Sequence, residues 1–219
     1  MIDTHSHLFV EEFEEDLPAV IERARDSGVS KVFMPNIDDT TVEAMLNVCT
    51  AYKGYCFPMI GFHPTSVGAD SLFRIYEMKK LLSGEHPFVA VGEVGMDLYW
   101  DKTYLKEQQK ALDIQIQWAL EYHLPLVLHC REAFPELFEV MEPYKKTELS
   151  GIFHSFTGTL EEAGQVLEYA RFFFGINGVV TFKKSSLAEV LPHIPLGRIV
   201  LETDSPYLAP VPFLSLIHI

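Results

Sequence analysis

Histidine and carboxylate side chains stand at the ends of five short apolar runs in this chain. They are His5 and His7 in MIDTHSH, Glu93 in FVAVGEVGMD, His129 in LPLVLHCR, His154 in SGIFHSF and Asp204 in RIVLETDSPY. Four imidazoles and two carboxylates form a donor set suited to Zn, Mn, Fe or Mg. They are spread from residue 5 to residue 204, so they make one site only if the fold gathers the run ends. His5 and His7 are separated by one residue, which on a strand turns both to the same side. Glu93 lies on a run too apolar to hold a free carboxylate, so a cation or a tight hydrogen-bond network must compensate it. Its two oxygens make it the candidate bridge between two cations. Asp204 is the candidate to hold metal and to take a proton from an attacking water.

Each residue also has a plainer reading. His5 and His7 would cap a strand edge, Glu93 would pair with Arg131, and His129 and His154 would be satisfied core or rim histidines. Asp204 would be an N-cap ahead of Ser205-Pro206. What favours the metal reading is that all six occupy equivalent places at run ends. Around them, His63 in GFHP is a candidate to donate to a phosphate or a leaving oxygen, or else a turn residue. Arg131 suits a phosphate oxygen, or else a rim salt bridge. Asp97 is placed to orient a histidine through its free ring nitrogen. Lys183 and Lys184 are candidates for a nucleic-acid backbone, against a default of solvated charges, and Cys130 reads as a small strand filler.

The elements that must position these residues alternate short β-rich runs with longer amphipathic segments, the pattern of repeated βα units. Strands are predicted over 2–8, 31–35, 55–61, 88–93, 125–129, 151–154, 171–176 and 199–202. Helices are predicted near 17–26, 39–52, 71–82, 104–122, 133–141, 160–169 and 186–191. Runs such as Val127-Leu128 and Ile199-Val200-Leu201 lack polar alternation, as strands buried on both faces should. Eight strands and seven helices predict a (β/α)8 TIM barrel, whose strands all deliver their C-terminal ends to one rim. Nothing after Pro212 reads as an eighth helix, and about 250 residues is typical of this fold.

Composition sets further bounds. The chain has 219 residues, 48% apolar and 22% charged, as in ordinary globular proteins. No apolar stretch approaches the ~20 residues that span a bilayer, and no leader-like segment opens the sequence, so a cytoplasmic protein with no membrane partner is expected. Three cysteines, Cys49, Cys56 and Cys130, at unhelpful spacings predict reduced thiols. A formal net charge of −14 excludes a broad nucleic-acid-coating surface, though not a nuclease that grips phosphate through cations. Residues 1–213 are expected to form a single barrel. Leu214 to Ile219 read like one frame of a common transposon-end sequencing adapter and are expected to be a non-native tail, so His218 is given no role.

The stretches DTHSHL, GFHP, GEVGMD, LHCR, HSFTG, GVVTFK and LETDSPYLAP, in this order, resemble the TatD family of metal-dependent deoxyribonucleases, within the amidohydrolase-like barrels. The resemblance implies a TIM barrel, a site for two divalent metal ions, and hydrolysis of DNA from the 3′ end with RNA as a second substrate. It implies His5, His7, Glu93 and Asp204 as ligands of one metal, and Glu93, His129 and His154 as ligands of the other. His63 corresponds to the family's additional active-site histidine and Asp204 to its candidate base. Chains of that family run on beyond Ala209-Pro210 with a basic segment and closing helices, where this one departs.

The expected function is a divalent-metal-dependent phosphodiesterase, a 3′–5′ exodeoxyribonuclease using Mg, Mn or Zn. Single-stranded DNA or RNA ends would be the substrate, and no obligate protein partner is evident. Asp204 and His63 would be catalytic, with Arg131 and Lys183 binding substrate. One rival is an ester hydrolase on the same scaffold, such as a D-aminoacyl-tRNA deacylase. The other is a barrel without catalysis, which would not need six ligand-type residues at strand ends.

Overall fold

A computed structural model describes residues 1–212; the segment 213–219, including the expected non-native tail, lies outside the described residues. The first half contains β1 (Ile2–Asp3), α1 (Leu17–Asp26), β2 (Lys31–Pro35), α2 (Val42–Ala51), β3 (Cys56–Met59), α3 (Ser71–Lys79) and β4 (Val91–Asp97). The second contains α4 (Leu105–Glu121), β5 (Leu126–Arg131), α5 (Phe134–Met141), β6 (Gly151–Phe153), α6 (Leu160–Leu167), β7 (Phe172–Ile176), α7 (Leu187–Val190) and β8 (Ile199–Leu201). No helix is long and apolar enough to cross a membrane among the described residues.

All eight strands run parallel, in two laddered arcs ordered β1-β2-β3 and β4-β5-β6-β7-β8. Short contacts join the arcs into a (β/α)8 barrel. At one seam Ile60 N–H donates to Ala90 O (3.1 Å) and Gly92 N–H to Ile60 O (2.8 Å). At the other, Thr4 N–H reaches Leu201 O (3.1 Å), His7 N–H reaches Ser205 O (2.8 Å) and Asp204 N–H reaches His5 O (2.9 Å). Trp118, Phe153, Phe172 and Phe174 are among the largest fully buried side chains of the core between sheet and helices. A smaller apolar group, Met59, Ala90 and Val127, packs separately.

Several predicted strands change extent, and for the first and fourth the physical reason is visible. The first, expected over 2–8, is regular only at Ile2–Asp3. Beyond Asp3 its N–H groups go alternately to the two neighbours, Thr4 to Leu201, Ser6 to Phe33 and His7 to Ser205, which breaks a continuous ladder while keeping the chain extended at the seam. The fourth, expected to end at Glu93, runs from Val91 to Asp97 with every residue buried. Gly95 makes this possible: at φ +144° it adopts a backbone that L side chains avoid, and a Cβ there would lie 1.9 Å from His129 O. Glu93 therefore sits inside its strand, not at its end. The fifth strand likewise continues past His129 to Arg131. The second helix begins at Val42, not near Asp39, because Thr41 Oγ1 accepts from Ile37 and Asp38 N–H and holds 37–41 in a turn.

Three buried amide side chains tie the rim where ladders are lacking. Asn36 accepts from Gly61 N–H (2.8 Å) and donates to Gly61 O (2.9 Å), linking the end of β2 to the segment after β3. On α4, Gln115 accepts from Phe62 N–H (2.7 Å) and Gln108 accepts from Asp97 N–H (2.9 Å), donating back to Asp97 O (3.0 Å). The two glutamines are seven residues apart, two helical turns, so they share a face. One fixes the backbone beside His63 and the other fixes the end of β4. Gln115→Leu should strand the Phe62 amide in the interior. The expected outcome is a loss of roughly 1–3 kcal/mol of unfolding free energy in a urea titration.

Candidate active site

The barrel delivers His5 and His7 from the chain after β1, His63 from after β3, Glu93 from within β4, His129 from β5, His154 from just after β6 and Asp204 from just after β8. All seven meet at one rim. Glu93 is at the centre and its two oxygens face different partners. Oε2 lies 3.1 Å from His5 Nε2 and 3.6 Å from His7 Nε2. Oε1 lies 2.9 Å from His129 Nδ1, 3.3 Å from His63 Nε2 and 3.6 Å from His154 Nε2. Asp204 divides in the same way: Oδ1 is 3.7 Å from His5 Nε2 and 3.5 Å from His7 Nε2, while Oδ2 is 3.7 Å from His154 Nε2. The plainer reading of Glu93 as a partner of Arg131 is not what the geometry shows, since imidazoles surround it.

The backbone turns sharply where the ligand strands end. Glu132, Ser155 and Asp204 follow β5, β6 and β8 with φ of 52°, 45° and 59°, a left-handed region that non-glycine residues seldom occupy. At Asp204 this turn places the carboxylate in the cluster while its N–H remains bonded to His5 O.

Outer groups orient the imidazoles. Asp97 Oδ2 lies 2.9 Å from His129 Nε2, leaving the opposite ring nitrogen toward Glu93. His63 Nδ1 accepts from Thr65 N–H (3.2 Å), which in the neutral ring leaves the proton on Nε2, toward Glu93. The sequence reading had given no role to Glu202. It is buried, its Oε1 lies 3.0 Å from His154 Nδ1, and it accepts from Ser155 N–H (2.5 Å). Its signal in the sequence is chemical: a second carboxylate closing the same apolar run, two residues before Asp204. Asp3, also unassigned, accepts from Thr203 Oγ1 (2.7 Å) and from Thr203 and His5 N–H, tying the β1 and β8 ends beneath the histidines.

The electrostatics reflect these neighbours. Burial alone would raise Glu93, but His63, His5 and His154 outweigh it and hold the carboxyl well below its ordinary range. Asp204 is likewise lowered, burial being overcome by His154, His7 and His5. Burial, with His154 close by, pushes His5 down, and burial pushes His63 down. For His154 burial is overridden by Glu202, Glu93 and Asp204, which lift it to about 10. His129 is raised because its bonds to Asp97 and Glu93 outweigh burial.

The donor set fits divalent cations. His5, His7 and Glu93 offer atoms all within 4.8 Å of one another, as do His63, Glu93 and His129, and His5, His154 and Glu202. Buried His5 Nδ1, His7 Nδ1 and Glu202 Oε2 have no hydrogen-bond partner. Carboxylates held ionised in an interior, with two of the facing imidazoles, His5 and His63, driven toward neutrality by burial, favour added positive charge. His63 lies nearer Glu93 than His154 does, so it belongs with the possible ligands as well as with the catalytic candidates.

The cluster opens into a cavity of about 620 Å³ that also reaches Trp100, Arg131, Phe182 and Tyr207. Arg131 is at its lip, with its guanidinium carbon 3.7 Å from the Tyr99 ring centroid. Lys183 and Lys184 are exposed on the loop beyond Phe182 and do not line this cavity. Cys130 is buried with its thiol pushed upward by burial, as a filler would be.

A parallel barrel with an imidazole–carboxylate cage at its C-terminal rim defines a metal-dependent hydrolase of the TIM-barrel class. The family profile described as "TatD related DNase" matches residues 2–216, and the chain belongs to the TatD family. An "Uncharacterized metal-dependent hydrolase YabD" of Bacillus subtilis (strain 168) is 33% identical over 214 residues, covering 97% of this chain and 83% of the relative. A "3'-5' ssDNA/RNA exonuclease TatD" of Pantoea sp. (strain At-9b) is 33% identical over 212 residues, covering 96% and 81%. Among solved structures, YJJV, a TatD homolog from Escherichia coli K12, superposes with a TM-score of 0.87 at 27% identity, covering 97% of this chain and 82% of that one.

Asp3 gives a pH prediction. Burial, only partly offset by the Thr203 and His5 bonds, raises it from 3.8 to about 6. The folded chain thus holds this proton more tightly than the unfolded one, so the stability it confers is full below about pH 4 and lost as pH rises toward 6. In chelator-treated protein, Asp3→Asn should gain roughly 2–3 kcal/mol on the wild type between pH 4 and 7, read from paired denaturant titrations.

Proposed function

We propose that this chain is a 3′–5′ exonuclease that hydrolyses phosphodiester bonds at the ends of single-stranded DNA or RNA with two divalent cations. The observation that carries the reading is the division of Glu93. One oxygen faces His5 and His7 while the other faces His129, His63 and His154, as a carboxylate shared by two cations would require. His5, His7, Glu93 and Asp204 would hold one ion. Glu93, His129 and His154 would hold the other, with His63 at its edge. When bound, such ions supply Lewis acidity toward a phosphoryl oxygen and lower the pKa of a nucleophilic water.

The residues themselves do the rest. Asp204, kept ionised by His154 and His7, is placed to accept a proton from the attacking water. His63, with Nε2–H directed into the site, donates to a phosphoryl or leaving oxygen. Asp97 and Glu202 hold His129 and His154 in the orientation that presents the inward nitrogens. Arg131 brings a fixed positive charge to the lip, where an incoming phosphate passes. The printed activity of the Pantoea relative supports this substrate class. Three buried free cysteines accord with a reducing, cytoplasmic setting.

With Mg, Mn or Zn, the purified protein should release mononucleotides stepwise from the 3′ end of a 5′-labelled single strand and should stop when chelator is added. Asp204→Ala should cut the rate by about 10²–10⁴-fold, and Glu93→Ala should remove activity and metal together, both with an unchanged circular-dichroism spectrum. Charged tRNA run in parallel is the control: amino acid released without nucleotides would replace the nuclease with the esterase. Because His154, at about 10, carries a proton that a cation must displace, metal loading should release protons and tighten as pH rises. Calorimetry in buffers of different ionisation enthalpy measures this.

A further inference from the structure

Trp100 is 72% exposed, whereas Trp118 is 1% exposed in the core. Leaving so large an apolar ring in water forgoes the burial that would stabilise the fold. Trp100 is nevertheless held in place. Its ring meets that of Tyr99 edge to face, with centroids 4.8 Å apart and planes at 87°. The Arg131 guanidinium carbon lies 3.7 Å from the Tyr99 centroid and 5.4 Å from that of Trp100. Below the pair, Tyr99 N–H donates to Asp97 Oδ1 (3.0 Å), and the Asp97 backbone is clamped by Gln108. The exposed ring is thus fixed, and it lines the same cavity as Glu93 and His129.

We propose that Trp100, braced by Tyr99 and Arg131, is a stacking shelf for a nucleobase next to the scissile phosphodiester, and that it selects single strands. The proposal rests on the nuclease reading and names how that site recognises its substrate. A chain of net charge −14 repels a phosphate backbone at long range, so its hold on a strand cannot come from a broad basic face. Stacking needs no charge complement, works with any base, and contributes about 1–3 kcal/mol per base. Inside a duplex both faces of a base are covered, and at a paired end one outer face is free but pairing holds the base to its partner; an unpaired end can turn its bases onto the ring. The shelf therefore grips unpaired ends and leaves paired ones. Arg131, whose contacts are with these rings and not with a carboxylate, adds cation–π support and keeps its charge at the lip.

The test compares wild type, Trp100→Ala and Trp100→Phe, all metal-loaded, on a single-stranded oligonucleotide and on the same strand with its two 3′-terminal nucleosides made abasic. Wild type should show a KM about 5- to 150-fold lower for the base-bearing strand. That preference should collapse toward unity in Trp100→Ala, with the loss in KM rather than kcat, and largely return in Trp100→Phe. Independently, a base-bearing strand with phosphorothioate 3′ linkages should quench the fluorescence of the exposed tryptophan, and its abasic counterpart should not. An unchanged preference in Trp100→Ala, or equal quenching by both strands, overturns the shelf. A wild-type protein that cleaves no strand defeats the nuclease reading instead. In that case base-dependent quenching would keep the shelf as a binding site, and absent quenching would remove it too.

Discussion

A carboxylate in the middle of a barrel must be met by positive charge, and the rim is organised around that demand. Glu93 lies on a strand whose every residue is buried, where an unpaired charge would cost several kcal/mol. Five imidazoles from four other places in the chain converge on it. Those imidazoles are themselves buried, and for His5 and His63 burial outweighs the nearby carboxylates and drives them toward neutrality. For His129 and His154, backed by Asp97 and Glu202, the carboxylates outweigh burial and shift the ring upward. Neither arrangement is self-sufficient without cations, and the same shortage of positive charge that makes the site costly to fold makes it a cage for divalent metal.

The outer carboxylates explain how side chains from distant strands keep one geometry. Asp97 is bonded to His129, Glu202 lies against His154, and Asp3 ties Thr203 to the His5 backbone. The backing comes from different directions: Asp97 on β4 holds His129 on the adjacent β5, Glu202 after β8 reaches past β7 to His154 after β6, and Asp3 joins the β1 end to the β8 end. The seams, where ladder bonds are sparse, rely on side-chain amides and single backbone bonds. That is where His5, His7, Asp204 and His63 enter.

Much of this was legible in the sequence, because strand ends in a parallel barrel are marked by the residue that closes each apolar run. His5, His7, His154 and Asp204 follow that rule, whereas His129 lies inside a strand that runs on to Arg131. Glu93 was found for its chemistry although its position was misread: Gly95 lets β4 continue close against β5, and a rule that ends strands at the first charge cannot see that. Gln108, Gln115 and Asn36 look like ordinary polar residues, since the backbone groups they satisfy are created only by the tertiary fold. Glu202 was hidden behind the more conspicuous Asp204. Trp100 carries no signal in a hydrophobic pattern that expects aromatic residues inside.

The two glutamines of α4 have a broader effect. They act as a splint, holding the ends of two non-laddered strands at the separation of two helical turns, about 10.5 Å. Between β4 and α4, residues 98–104 form a connection whose root is secured by the Asp97–Gln108 bonds. Its outward side chains at Trp100 and Asp101 are exposed, so a change there need not touch the bonds that hold Asp97. The scaffold can therefore exchange one kind of strand recognition for another without rebuilding its chemistry.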